Sequence, residues 1–186
     1  MPVVSITLLP GYSAAARERL VGRVARSVRS VIAATNAGTT VMVHEASTYQ
    51  RDGRCMTHGG PELPDASALV QHFLERMQAR DLAAARELLA PDFVMHFPGA
   101  APMHQLEELV EWARPRYQQV SKRYERFDES WNDEGAVVYC FGTLEGVWLD
   151  GQPFAGVRFI DRFEIQGGRL VRQDVWNDLA LAMAKR

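Results

Sequence analysis

Between Val3 and Leu9 the chain sets Val4, Ile6 and Leu8 against Val3, Ser5 and Thr7, and Pro10-Gly11 follows with turn chemistry. This period of two predicts a β-strand that starts almost at the N-terminus. Ser13 then reads as the N-cap of a helix in which Leu20, Val24, Val28, Val31 and Ile32 recur at helical spacing. Arg17, Arg19, Arg23, Arg26 and Arg29 solvate the rest of that helix, leaving one face to bury. After Asn36-Ala37-Gly38, the β-branched run from Thr39 to Glu45 alternates again. The order is β-α-β, and a crossover of that length suits two parallel strands with a right-handed connection. So small a unit buries too little of its sheet by itself, so self-association or docking on the rest of the chain is expected.

Residues 50–65 (QRDGRCMTHGGPELPD) mix Gly, Pro and charge with no hydrophobic period, which reads as a linker or a functional loop. The expected organisation is a β-α-β module over 1–54, a linker over 55–64 and a second domain over 65–186. Asp65 caps a helix with Leu69, Val70, Phe73, Leu74 and Met77 on one side, and a short helix through Leu82, Ala85, Leu88 and Leu89 follows. Phe93 to Phe97 reads as a short strand; Leu106, Leu109, Val110 and Ala113 mark a third helix that Pro115 ends. Three apolar runs come next, Ala136 to Val147, Phe154 to Ile165 and Leu170 to Trp176, divided by Asp150-Gly151 and Gly167-Gly168 as hairpin turns. Helices followed by an antiparallel meander predict an α+β fold.

Composition narrows the function classes. With 186 residues, 47% hydrophobic and 24% charged, the chain is globular rather than disordered. A net charge of -2, with both signs dispersed, offers no stripe for nucleic acid or an anionic membrane. No apolar run approaches the roughly 18 to 20 residues of a membrane span, so a soluble, cytoplasmic protein is expected. Cys55 and Cys140 form no CxxC, so neither a disulfide framework nor a zinc site is suggested. No nucleotide, metallopeptidase or serine-hydrolase motif occurs, and no metal or cofactor is called for. The basic residues are arginine except Lys122 and Lys185, which with abundant alanine suggests a GC-rich bacterial genome.

PVVSITLLPGYS, an amphipathic helix and TTVMVHE together resemble the 4-oxalocrotonate tautomerase family over about residues 2–54. Members of that family begin with a catalytic proline. The resemblance implies that Pro2, once Met1 is removed, is a secondary amine acting as the base that interconverts keto and enol forms, its basicity lowered by an apolar pocket. The relatives carry arginines after the first strand's glycine and in the second strand, where this chain has Tyr12 and Thr40. Tyr12 could offer an O–H donor, and Arg51 and Arg54 positive charge, to the developing enolate. The alternative is a proline that is simply a common second residue and a solvated arginine loop.

From about residue 66 to 182, the order helix, helix, strand, helix and meander, ending in GGRLVRQDVWND, resembles the SnoaL-like polyketide cyclases and ketosteroid isomerases, which share the nuclear-transport-factor cone. The cone hosts several chemistries, so function has to come from the pocket. Period two puts Asp161 on one face with Val157, Phe159, Phe163 and Ile165, an apolar setting for a general base or a protonated donor. His96 falls where the isomerases carry their proton-shuttling aspartate, whereas Phe73 occupies the place of their catalytic tyrosine. Asp174 is a weaker candidate, since a register slip of one would flip its face. His96 and Asp161 are either catalytic or structural, paired with each other or with Arg158 or Arg172. Tyr139 and Trp176 are either substrate-contacting aromatics or cone-wall core.

Together these features imply a cofactor-independent isomerase (keto–enol tautomerase) or cyclase moving protons on a small enolisable carbonyl compound. The catalytic set would be Pro2, His96 and Asp161. The alternative is a non-catalytic ligand-binding cone whose β-α-β unit serves oligomerisation. Both families assemble through their sheets, so a homo-oligomer, dimer or higher, is expected.

Overall fold

The computed structural model describes residues 1–184, which divide into two compact units, Met1–Glu62 and Leu63 onward. In the first, β1 (Val3–Leu8) and β2 (Thr40–Glu45) pair in parallel, Val4 opposite Val41 and Ile6 opposite Val43, across helix α1 (Ala14–Val31). Val4, Ile6 and Leu8 are half-buried while Val3, Ser5 and Thr7 are exposed, the alternation read from the sequence. Ser13 caps α1 by accepting from Ala16 N at 3.1 Å.

The segment after β2 carries more structure than a linker. Asp52 and Gly53 both take positive φ (51° and 74°) and close a two-residue hairpin between β3 (Tyr49–Arg51) and β4 (Arg54–Met56), the Asp-Gly preference of primed turns. Residues 58–62 then fold back on the β1–α1 turn. Gly60 N donates to Tyr12 Oη at 3.0 Å, and Ser13 Oγ donates to the Glu62 carboxylate at 3.0 Å. A Cβ at Gly59 would stand 2.4 Å from the Tyr12 ring, so only glycine permits this approach.

The second unit holds the core. Helices α2 (Ala66–Gln78), α3 (Leu82–Arg86) and α4 (Leu106–Ala113) pack on a five-stranded sheet in the order β5-β9-β8-β7-β6. The strands are β5 (Leu89–His96), β6 (Tyr117–Trp131), β7 (Ala136–Trp148), β8 (Pro153–Gln166) and β9 (Arg169–Asn177); a short helix α5 (Leu179–Ala184) ends the described chain. β6 to β9 form an antiparallel meander, and β5 joins β9 in parallel. Register shifts at Tyr124/Arg126, Leu144/Gly146 and Glu164/Ile165 interrupt the ladders, and such bulges bend a long sheet. Asp65 caps α2 by accepting from Ala68 N, and its apolar stripe buries Val70, Phe73 and Leu74. Phe73 sits edge-on between Phe93 (6.1 Å) and Phe163 (6.0 Å). This is the α+β architecture expected, a β-α-β unit followed by helices on a curved, mainly antiparallel sheet.

The sequence reading of the meander omitted its first strand. β6 is one of the two edge strands of the sheet, and its residues YQQVSKRYERFDESW are largely polar, as edge strands usually are.

Candidate functional site

Strand alternation sorts the sheet's side chains. Phe159, Asp161, Phe163, Gln173 and Val175 belong to the helix-covered face, with Lys122 and Tyr124 of β6 and Leu144 of β7; Arg162, Glu164, Arg172, Asp174 and Trp176 belong to the other. Between the covered face and helices α2 and α4 lies a cavity of about 490 Å³, within the size range of small-molecule sites. Phe73, Met77, Leu109, Phe97 and Val175 make it mostly apolar; Lys122, Gln173, Asn177 and Trp112 supply polar groups.

Asp161 is fully buried behind this wall. Its Oδ2 takes the Lys122 ammonium and accepts from Gln173 Nε2 at 3.2 Å. Asp161 Oδ1 and Gln173 Oε1 are buried with no protein partner, as is Trp112 Nε1. Lys122 Nζ also stands 4.7 Å from the centre of the Phe159 ring, a cation–π contact. Nearby groups stay neutral: burial, then the charge of Asp161, pushes the Cys140 thiol up to about 12. Burial likewise raises the Tyr124 phenol, and its electrostatic coupling to Cys140 and Asp161 adds to the rise. The pocket therefore presents the Lys122 and Arg80 cations and neutral polar groups in a mainly apolar wall, with the Asp161 carboxylate, one oxygen unpartnered, buried directly behind Lys122.

His96 is not in this pocket. It pairs with Asp174 in the parallel β5–β9 register, and Asp174 pairs with Arg162 across β9–β8. Because Arg162 is next to Asp161, alternation puts His96 and Asp161 on opposite faces. His96 Nδ1 lies 3.1 Å from Asp174 Oδ1. Asp174 also accepts from Arg172 Nε at 2.9 Å and from Arg162 Nη1 at 3.0 Å. The anticipated partners of Asp161 are engaged elsewhere, Arg172 with Asp174 and Arg158 with Asp178.

The same parity sets Tyr139 and Trp176, expected to be substrate-contacting or cone-wall aromatics, apart from this cavity. Tyr139 opposes Arg162, and Trp176, 53% exposed, opposes Ile160, both on the face away from the cavity. In the first unit, Pro2 is half-buried and its carbonyl accepts from Thr40 N at 3.1 Å. Tyr12 follows the other end of β1, roughly 20 Å along for six residues, so these two stand at opposite ends of one strand. Arg51 and Arg54 face each other across the exposed hairpin. Sequence reasoning missed Lys122, Gln173 and Trp112; the signal available was that Lys122 is one of two lysines and alternates with Val120 and Tyr124.

The Asp174 cluster gives a pH prediction. Burial alone would raise its carboxyl, but hydrogen bonding and charge from Arg172, then Arg162 and His96, hold it below its ordinary value. A depressed folded-state value adds stability above the unfolded value near ~3.9 that is lost as pH falls through the folded one. Asp174→Asn should therefore melt lower than wild type at neutral pH, and the gap should narrow on acidification below about pH 4. A gap constant through that range in thermal melts would show that these ion pairs are not coupled to folding.

Solved structures share this fold at low identity. An NTF2-like protein of unknown function from Burkholderia pseudomallei matches with a TM-score of 0.55 and 20% identity, over 63% of this chain and 94% of that one. A putative polyketide cyclase from Xanthomonas campestris matches at 0.52 and 19%, over 64% and 94%. TerC, co-crystallised with polyporic acid, matches at 0.54 and 15%, over 64% and 95%. At such identities the likeness shows the fold alone. No curated protein matches the chain. The model of the SnoaL-like domain, however, matches residues 70–173, more than half of the sequence, and on that match, with a helix-capped curved sheet around one cavity, the chain belongs to the SnoaL-like domain family.

Proposed function

We propose that the C-terminal domain binds a small, largely apolar molecule bearing a carbonyl, enol or hydroxyl oxygen. The observation carrying this is that Lys122 and Gln173 line a mainly apolar cavity directly in front of the buried Asp161, with acceptor atoms in the group that no protein group satisfies. Unpaired buried polar atoms are costly, and a ligand's oxygen or hydroxyl, or water, can satisfy such groups. TerC, of the same fold, was crystallised with an organic acid, which supports a ligand of this kind.

Trp112 is the tryptophan on the cavity wall, so its emission is the natural probe. A naphthylmethanol is expected to quench it, and naphthalene, lacking the oxygen that meets Lys122, to bind about tenfold more weakly, as a hydrogen bond to a charged group is worth roughly 1.5 kcal/mol or more. Trp112→Phe should remove the signal. Absence of quenching, or quenching that survives Trp112→Phe, would reject the pocket as the binding site.

A second reading adds catalysis. Asp161 keeps an oxygen free beside a cation, the pairing needed to take a proton from carbon next to a carbonyl and steady the enolate. That is the isomerase or cyclase chemistry, and a solved protein of this fold is described as a putative polyketide cyclase. Proton exchange at the α-carbon of a bound ketone, followed by NMR in heavy water and lost in Asp161→Asn, would support it; no exchange leaves a binding module.

For the N-terminal unit the reading is oligomerisation, since Val3 and Met42 stay exposed on a two-stranded sheet. Tautomerase action by Pro2, with Tyr12, Arg51 and Arg54, would in addition require those groups to be brought together. Removing residues 1–62 is expected to keep ligand quenching and to lower the mass seen by light scattering. An unchanged assembly would reject that role.

A further inference from the structure

Building on the cavity as a site for oxygen-bearing ligands, we propose that Lys122 condenses with the ligand's carbonyl group, so that the domain holds aldehydes and ketones as a covalent imine. The chain has only two lysines, Lys122 and Lys185, and uses arginine for every other fixed positive charge. Arginine would serve as well or better for pairing with a carboxylate, but it stays charged and is no nucleophile. At the one basic position on the inner wall of the sheet, opposite Leu144 and over Phe159, the chain places the residue that can become a neutral amine.

Asp161 is arranged to manage that amine's protons. It is fully buried; one oxygen engages Lys122 and Gln173, and the other has no partner. Transfer of a proton from the Lys122 ammonium to the Asp161 oxygen it already contacts frees the electron pair on Lys122 Nζ. That pair forms the N–C bond while the carbonyl π electrons move to oxygen, and the nitrogen's proton passes to that oxygen to give the carbinolamine. Asp161 protonates the hydroxyl, the C–O bond breaks, and water leaves. The products are a protonated imine, the Asp161 carboxylate that balances its charge and one water. No oxidant or second reactant is involved. Cys140, the other nucleophile adjoining Asp161, remains a thiol because burial and that carboxylate hold its proton in place.

The test uses the full chain with a naphthaldehyde and sodium borohydride, which reduces an imine to a stable amine, followed by intact mass and peptide mapping. Quenching of Trp112 by the corresponding naphthylmethanol, which cannot condense, is measured in parallel. One adduct on Lys122 is expected, formed about tenfold or more faster than on Lys185 because the cavity holds amine and carbonyl together, and suppressed by excess naphthylmethanol. Quenching by the alcohol with adducts only at the N-terminal amine or Lys185, or at Lys122 no faster than at Lys185, overturns the condensation and leaves the binding site standing. Neither quenching nor a Lys122 adduct overturns both.

Discussion

Asp161→Ala is expected to cost about 3 kcal/mol of stability, whereas the double change Lys122→Met with Asp161→Leu should stay within about 1 kcal/mol of wild type or exceed it. The two outcomes differ because desolvation, not pairing, dominates a buried ion pair. Asp161 is inaccessible and the Lys122 side chain is 21% exposed. Removing the carboxylate strands an ammonium against Phe159, Tyr124 and Leu144; removing both charges leaves a neutral wall in which the Gln173 amide, having lost Asp161, is the one polar group to resettle. The single-variant cost belongs at the low end of the range for broken buried pairs, since Lys122 can still reach some water. Urea midpoints at constant m would measure the effect. If Asp161→Ala unfolds with the wild-type midpoint, the pair is solvated and the cavity is no low-dielectric site. If the double variant is as stable as wild type yet no longer prefers naphthylmethanol over naphthalene, the pair is present for the ligand and not for the fold.

Much of the architecture was legible because it rests on local signals. Ser13 and Asp65 cap helices where their spacing to apolar stripes suggested, and Asp150-Gly151 and Gly167-Gly168 lie at the turns of the meander. β6 was not legible, because an edge strand with many charges lacks the apolar run by which a buried strand is read. The Asp52-Gly53 hairpin was missed for the opposite reason, a good turn signal flanked by strands of three residues each.

The site was legible only in part. Alternation within β8 correctly grouped Asp161 with Phe159 and Phe163, because that period is a property of one strand. Whether His96 joins them depends on the pairing of β5 with β9 and of β9 with β8, which no single strand encodes. Lys122 depended on the same long-range register, opposite Leu144 and two strands from Asp161. What sequence can supply is a short set of chemically able residues; the sheet decides which of them share a face.

Phe73→Ala should be the most destabilising single change in the second unit, by about 3 to 5 kcal/mol. The side chain is 1% exposed on α2 and meets Phe93 of β5 and Phe163 of β8 edge-on. It thus joins the helix to two strands that are not neighbours in the sheet. Deletion loses the transfer energy of a phenyl ring and both aromatic contacts, and the space left opens next to the cavity that Phe73 already lines. Its neighbours cannot collapse easily, because Phe163 and Val138 are held by sheet pairing. Phe73→Leu, which keeps most of the volume, should recover at least half of the loss. The comparison also has a functional edge: an enlarged cavity should accept a bulkier oxygenated aromatic, such as an anthracenylmethanol, better than wild type does. Loss of stability below about 1 kcal/mol would mean that α2 is not anchored on the sheet at this residue. Loss of stability without any gain in affinity for the larger ligand would place Phe73 in the core but outside the space that ligands occupy.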